Sequence, residues 1–233
     1  SLQSIFAFKE DFAHVPCSVN DISCIGIFVV GNNKGLVLPY TTTDVELQHI
    51  TNCMPNDIRV HRLDEKLCPL TSLGNLVQAN DTTGLASPQL SSGARNKIKE
   101  VLGLTDLFVS GIERYCLPGT YFCLNNFGLL APKDLTQEEV SSLVSLLNLP
   151  VAQGSCADGK NDLGREFLVN TTHLLCDGQS FQLEIAVAKQ IFAVNEAFIN
   201  QNALRMPNKD DDADNIDGGD FQVLEDALLE AIL

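Results

Sequence analysis

Gly31-Asn32-Asn33-Lys34-Gly35-Leu36-Val37-Leu38-Pro39-Tyr40-Thr41-Thr42-Thr43-Asp44-Val45-Glu46-Leu47-Gln48-His49-Ile50 decides the fold, because its parts return three more times along the chain. An apolar run from Ile25 to Val30 enters it as a strand, an Asn-containing turn with Gly35 follows, and a second apolar run (Leu36 to Leu38) ends at Pro39 before a helix. The same order reads Leu76-Val77-Gln78-Ala79-Asn80-Asp81-Thr82-Thr83-Gly84-Leu85-Ala86-Ser87-Pro88 and Tyr121-Phe122-Cys123-Leu124-Asn125-Asn126-Phe127-Gly128-Leu129-Leu130-Ala131-Pro132. A weaker copy is Phe167-Leu168-Val169-Asn170-Thr171-Thr172-His173-Leu174-Leu175-Cys176-Asp177.

The turn positions Gly35, Gly84, Gly128 and His173 lie 49, 44 and 45 residues apart, the range in which one supersecondary unit repeats. A second series keeps the same period: Gly26, Gly74, Gly119 and Gly164, spaced 48, 45 and 45, each at the entry to a first strand. Glycine serves a hairpin turn that needs positive φ, or a place where another backbone comes close.

Each copy carries a helix. Thr43-x-x-Glu46 and Thr136-x-x-Glu139 are capping boxes, whereas the helices expected at Ser92 to Leu102 and Ser180 to Phe192 carry Ser near their starts. Val140, Leu143, Leu146 and Leu147 make one helical face directed at a sheet. Each copy also opens with a further strand: Asp57 to Leu63, Thr105 to Ser110 and Val151 to Gly154 are counterparts. The unit is therefore strand, strand, tight turn, strand, helix, in repeats of about 16–57, 58–103, 104–149 and 150–194. Ser1 to Phe12 has helical spacing and reads as the helix of a partial repeat (1–15) whose strand pair would precede Ser1. Five units favour closure into a ring, which removes exposed edge strands.

After Val194 the pattern stops, and 195–233 forms an acidic extension. Pro207 to Leu233 sets nine acidic residues against Lys209, a net −8 out of the chain's −15. Lys209 to Gly219 has the composition of a disordered segment, and Phe221, Leu224, Leu228 and Ile232 share one face of a terminal amphipathic helix. A pI of about 4.5 argues against a general phosphate-binding surface and for a basic protein as partner. Eight cysteines without a C-x-x-C pair or zinc-type histidine spacing read as reduced, mostly buried thiols, the pattern of a cytosolic or nuclear protein. Asn80-Asp81-Thr82 and Asn170-Thr171-Thr172 match glycosylation sequons but fall in the repeat's turn. No stretch approaches the ~18 apolar residues of a membrane span, and no signal peptide is visible.

Gly31-Asn32-x-x-Gly35-Leu36-Val37-x-Pro39, Thr42-Thr43-Asp44-x-Glu46-Leu47-Gln48-His49-Ile50, Leu73-Gly74-Asn75 and Leu143-x-x-Leu146-Leu147-Asn-x-Pro150, followed by Gly154, together resemble the translation initiation factor 6 family of ribosome anti-association factors. The similarity covers Ser1 to about Val194. It implies an α/β fold, the pentein-type five-bladed β/α propeller with pseudo-fivefold symmetry, its first blade incomplete here. It also implies a monomer without cofactor or metal that binds the intersubunit face of the large (60S) ribosomal subunit. The partner there would be a ribosomal protein near the sarcin–ricin loop. Such a protein blocks joining of the small subunit and takes part in late large-subunit biogenesis. It is released by a translocase-like GTPase with its cofactor protein, and it resides in cytoplasm and nucleus/nucleolus. The family's binding surface includes the residue after each entry glycine, which carries the ribosome-binding role onto Ile27, Asn75, Thr120 and Arg165. Ile27 departs from the basic residue that eukaryotic members typically carry there.

The same fold class houses guanidine-modifying deiminases and amidinotransferases. Cys176 with His173 and Asp177 is the local trio that would serve such chemistry, a thiolate nucleophile with a base and an acid. The trio falls in the degenerate fourth turn, where His173 occupies the turn-glycine position. His14 and His49 read as solvent-facing or helix-end residues. The acidic run Asp210 to Asp220 admits a third reading, a nucleic-acid mimic, against its plainer role as a solubilising tail.

Overall fold

A computed structural model describes residues 16–157, 159–176 and 180–199. The helix expected at Ser1 to Phe12, His14, Asp177 and the acidic tail with its expected terminal helix all lie outside the described residues. Within them stand four three-stranded sheets, β1-β2-β3, β4-β5-β6, β7-β8-β9 and β10-β11-β12. The first comprises Val30–Asn32 (β1), Gly35–Leu38 (β2) and Arg59–Arg62 (β3). The second and third are Val77–Ala79, Thr83–Ala86 and Asp106–Val109 (β4 to β6), then Cys123–Leu124, Leu129–Pro132 and Val151–Gly154 (β7 to β9). The fourth is Phe167–Val169, His173–Cys176 and Glu196–Ile199 (β10 to β12). In every sheet the first two strands form an antiparallel hairpin and the third runs parallel to the second, as in Val30↔Val37 and Leu38↔Arg62. The parallel step needs a crossover, and a long helix supplies it. These helices are Asp44–Cys53, Ser92–Val101, Gln137–Leu147 and Gln182–Phe192.

The repeat thus runs hairpin, helix, strand, which shifts its phase. The strands expected to open the next copy complete the sheet of the preceding one: Arg59–Arg62 pairs with Gly35–Leu38 across the helix. The regular pattern also continues past Val194, because Glu196–Ile199 pairs in parallel with His173–Cys176. The apolar run Ile25 to Val30 is not one strand. Ile25–Phe28 makes a single helical turn, and the strand begins at Val30. The corresponding turns are Leu73–Leu76, Pro118–Tyr121 and Leu163–Glu166.

Both capping boxes form, with Glu46 and Glu139 each accepting the backbone amide of its N-cap threonine at 2.8 Å. In the fourth long helix, Glu184 accepts the Phe181 amide at 2.8 Å. The capping glutamates also reach the segment ahead of their own blade's helical turn: Ser18 Oγ donates to Glu46 at 2.7 Å and Ser155 Oγ to Glu184 at 2.7 Å. Arg114 forks onto both Glu139 oxygens at 2.6 Å. One carboxylate therefore satisfies helix-end amides and fixes a loop.

The core lies between blades. One cluster joins Val37 of the first sheet and Leu63, just past its third strand, to Ala94, Ile98 and Val101 of the second blade's helix, and another joins Cys123 and Leu130 to Ile185, Ala188 and Phe192. The second, third and fourth long helices are each packed on two sheets, their own and the preceding one, which binds successive blades together. A fully buried Leu or Ile contributes about 1.5–3 kcal/mol in such a site. Leu143 and Leu147 are buried on the third helix as expected, but Leu146 turns to solvent at 36% exposure.

Candidate functional site

Each helical turn has glycine as its second residue, and the four glycines touch in sequence. A Cβ on Gly74 would stand 1.8 Å from the Gly26 carbonyl oxygen, one on Gly119 1.7 Å from that of Gly74, and one on Gly164 2.1 Å from that of Gly119. No side chain fits at any of the three. The turns nest backbone against backbone, and the residue after each glycine is delivered to one place. Ile27, Asn75, Thr120 and Arg165, the four positions expected to cluster, all line a single open cavity of about 790 Å³ between the four blades. Ile27, Asn75 and Thr120 are half-buried, and Arg165 is exposed with Asp162 3.7 Å away.

At the other end of the first strands the hairpin turns are built on asparagine. Asn32 Oδ1 accepts the amides of Lys34 and Gly35 at 3.0 and 3.1 Å, and Asn80, Asn125 and Asn170 repeat this in their own turns. Their side-chain amides run on to the next blade. Asn32 Nδ2 donates to the Asn80 carbonyl, Asn80 Nδ2 to that of Asn125 and Asn125 Nδ2 to that of Asn170, each at 3.0 Å. These asparagines are spaced 48, 45 and 45, a third series in the sequence whose linking role only the structure reveals. It also disposes of one sequon in the folded chain, since the Asn80 amide is buried and engaged.

The turn glycines do not need positive φ. Among described glycines only Gly103 and Gly159 have it. Gly35 is small for another reason: a Cβ there would meet the Val101 carbonyl at 2.4 Å, and one on Gly128 would meet that of Ile191 at 2.7 Å. Helix ends of the neighbouring blade close on these turns.

The cavity lining mixes apolar side chains such as Val29, Val77, Phe167 and Leu168 with amides and hydroxyls, and rather more of its surface is apolar than polar. Its charged members are Asp81 and Arg165, and it includes no histidine among the described residues. Asp81 is occupied, accepting Asn126 Nδ2 at 2.5 Å and the Asn33 amide at 3.2 Å. Burial, with Cys156 beside it, pushes the Cys123 thiol up and keeps it neutral. A nucleophile needs a base within hydrogen-bond reach, and the Cys123 thiol meets the Phe167 carbonyl instead, at 3.6 Å. Of the trio Cys176, His173 and Asp177, the first two lie within the described residues. Cys176 is buried in an apolar cluster, and His173 Nδ1 meets Thr172 Oγ1 at 2.7 Å. Three residues apart on one strand, they sit about 10 Å apart on opposite faces. Among the described residues no group of His, Cys, Asp and Glu could hold a metal ion, and no helix is long and apolar enough to cross a membrane. His49 is exposed in the middle of the Asp44–Cys53 helix rather than at its end, with Nε2 2.9 Å from the Pro16 carbonyl.

Two solved structures share the architecture. DDAH from Pseudomonas aeruginosa, complexed with citrulline, matches with a TM-score of 0.51 at 8% identity over 78% of this chain and 71% of that one. A dimethylarginine dimethylaminohydrolase adduct with 4-chloro-2-hydroxymethylpyridine matches with a TM-score of 0.50 at 10% identity over 74% and 69%. At such identities the likeness is one of fold alone, the pentein-type α/β propeller. Sequence relatives are nearer. The chain is 34% identical over 191 residues to eukaryotic translation initiation factor 6 of Tetrahymena thermophila, covering 81% of this chain and 76% of that protein. It is 36% identical over 173 residues to the protein of that name from Neurospora crassa (74% and 68%), and 32% identical over 195 to eukaryotic translation initiation factor 6-2 of Arabidopsis thaliana (82% and 78%). Residues 2–191 match the eIF-6 family along nearly the whole propeller, and the chain belongs to that family.

Proposed function

We propose that the end of the propeller bearing Gly26, Gly74, Gly119 and Gly164 docks on the intersubunit face of the large ribosomal subunit and keeps the small subunit from joining by occupying its place. The observation that carries this reading is the convergence of Ile27, Asn75, Thr120 and Arg165, one from each blade, on one cavity of a chain of the eIF-6 family. Such a site presents amide, hydroxyl, guanidinium and apolar groups on a backbone too tightly nested to deform, which suits recognition of a preformed surface. The action is steric and breaks no bond. The main contact is a ribosomal protein near the sarcin–ricin loop, since a net charge of −15 repels a surface of bare phosphates. The monomer leaves by the action of a translocase-like GTPase with its cofactor protein, and it works in the cytoplasm and in late subunit maturation in the nucleolus.

Sucrose-gradient co-sedimentation tests this. The full chain should pellet with isolated large subunits and, when small subunits are added, reduce the joined-ribosome peak. Asn75→Arg should weaken both effects. A chain that does not pellet with large subunits would sink the proposal.

A further inference from the structure

The topology places more than the four cavity residues at the glycine end. Each first strand leaves its helical turn directly, and the second strand returns antiparallel, so the last residue of every second strand lies beside that turn: Val77 pairs with Ala86 and Phe167 with Cys176. The third strands run parallel to the second and end there too, at Arg62, Val109, Gly154 and Ile199. The long helices start there, as Arg62 shows by donating to the Thr42 carbonyl at 2.6 Å and pairing with Asp44 at 2.8 Å. They finish at the opposite end, where the Phe192 carbonyl accepts from Asn125 Nδ2.

Eight large hydrophobic residues are exposed among the described residues, and five of them fall at the glycine end: Ile22, Val45, Val109, Phe181 and Leu183. Ile22 precedes the first helical turn, Val109 ends a third strand, and the others open the first and fourth long helices. Val45 is 81% exposed and Leu183 76% exposed, each as the second residue of its helix. The first turn of a helix favours acidic residues and a β-branched valine lowers helix propensity there, and at such exposure neither Val45 nor Leu183 contributes to the core.

We infer that Ile22, Val45, Val109, Phe181 and Leu183 make the outer edge of the glycine end an apolar rim that docks against a protein surface carrying apolar and basic side chains. This rests on the proposed binding at that end and names the kind of partner. Two features select protein over nucleic acid. Large apolar side chains gain from burial against other apolar groups, and phosphates offer none. The exposed acid Asp21 stands next to Ile22 and the chain as a whole carries a net −15, which attracts Lys and Arg while repelling a phosphate backbone; Asp44, next to Val45, is already paired with Arg62.

The test is co-sedimentation of the full-length double variant Val45→Asp, Leu183→Asp with large subunits. Both changes put a carboxylate into a first helical turn, where it suits the helix dipole, so folding is retained and is checked by thermal melting. Binding should fall roughly tenfold or more relative to the parent. Equal binding of parent and double variant, with Asn75→Arg still impaired, would overturn the rim and leave the ribosomal reading standing. Failure of the parent to pellet would overturn both. A benzophenone photo-crosslinker in place of Leu183 separates the partner classes: attachment to a ribosomal protein supports the inference, and attachment to rRNA alone overturns it.

Discussion

Asn32 and Asn80 are joined head to tail: the side-chain amide of Asn32 donates to the backbone carbonyl of Asn80 at 3.0 Å while its own oxygen holds the turn amides of Lys34 and Gly35. One side chain thus shapes a hairpin and links two blades. Repeated at Asn80 and Asn125, the device makes the turn end of the propeller a hydrogen-bonded chain that parallels the glycine contacts at the other end. Both devices work through backbone atoms, which explains how strands of unlike side chains keep one geometry.

Replacing Asn80 by Ala should be severe for this reason. The change orphans the Thr82 and Thr83 amides, each 2.8 Å from Asn80 Oδ1, and removes the donor to the buried Asn125 carbonyl. With about 1–3 kcal/mol for each buried group left unsatisfied, a loss of roughly 2–5 kcal/mol is expected. Urea unfolding followed by circular dichroism measures it, and a midpoint unchanged from the parent would refute the role given to the asparagine chain.

Gly74→Ala should prevent folding or cost more than about 4 kcal/mol, because the added methyl would stand 1.8 Å from the Gly26 carbonyl and only backbone movement relieves it. Gly111→Ala is the control. A Cβ there has nothing within 4 Å and should leave the melting temperature within a degree or two, about 0.5 kcal/mol. Comparable melting of the two variants would contradict the nesting of the helical turns.

The repeat was readable because its markers are local. Glycines at close approaches, capping boxes and Asn turns each leave a fixed residue at a fixed place, and the residues after Gly26, Gly74, Gly119 and Gly164 could be grouped on that basis. The phase was not readable. Arg59-Val60-His61-Arg62 is a polar edge strand, and nothing within it says that it pairs in parallel with Gly35–Leu38 rather than with the strands that follow. Glu196–Ile199 was lost the same way, since third strands carry none of the repeat's markers. Ile25–Phe28 reads as a strand by hydrophobicity, and only the neighbouring turns show why it coils. The exposed rim was invisible because exposure of Val45 or Leu183 depends on which end of the ring each helix begins.

Glu46 should make the first blade acid-sensitive. Burial raises its carboxyl, but hydrogen bonds from the Asp21, Thr43 and Asn20 amides and the Ser18 hydroxyl outweigh that and bring it from 4.5 to about 2. A depressed folded value means that the stabilisation is fully present above the unfolded value of 4.5 and is lost as pH falls through about 2. Glu46→Gln should therefore cost about 2 kcal/mol at neutral pH and flatten the decline of stability between those two values. Thermal melts at intervals across that window decide it. A variant with the same pH slope as the parent would show that Glu46 is not the titrating group.

The cysteines divide by burial, and alkylation should follow the division. Cys68, Cys123, Cys156 and Cys176 are buried, whereas Cys17, Cys24, Cys53 and Cys116 are half-buried. Burial pushes the Cys68 thiol up and the Cys156 thiol up to about 12, so neither supplies the reactive thiolate at neutral or mildly alkaline pH. Iodoacetamide at pH 8, read by peptide mass spectrometry, should modify the half-buried group in native protein and the buried four only after unfolding. For Cys176 the result bears on function as well as packing. A nucleophile must be both accessible and activated, so rapid native labelling of Cys176 ahead of Cys53 would revive the guanidine-modifying alternative. Its protection, together with undiminished large-subunit binding by Cys176→Ala, would leave that thiol a role in the interblade core alone.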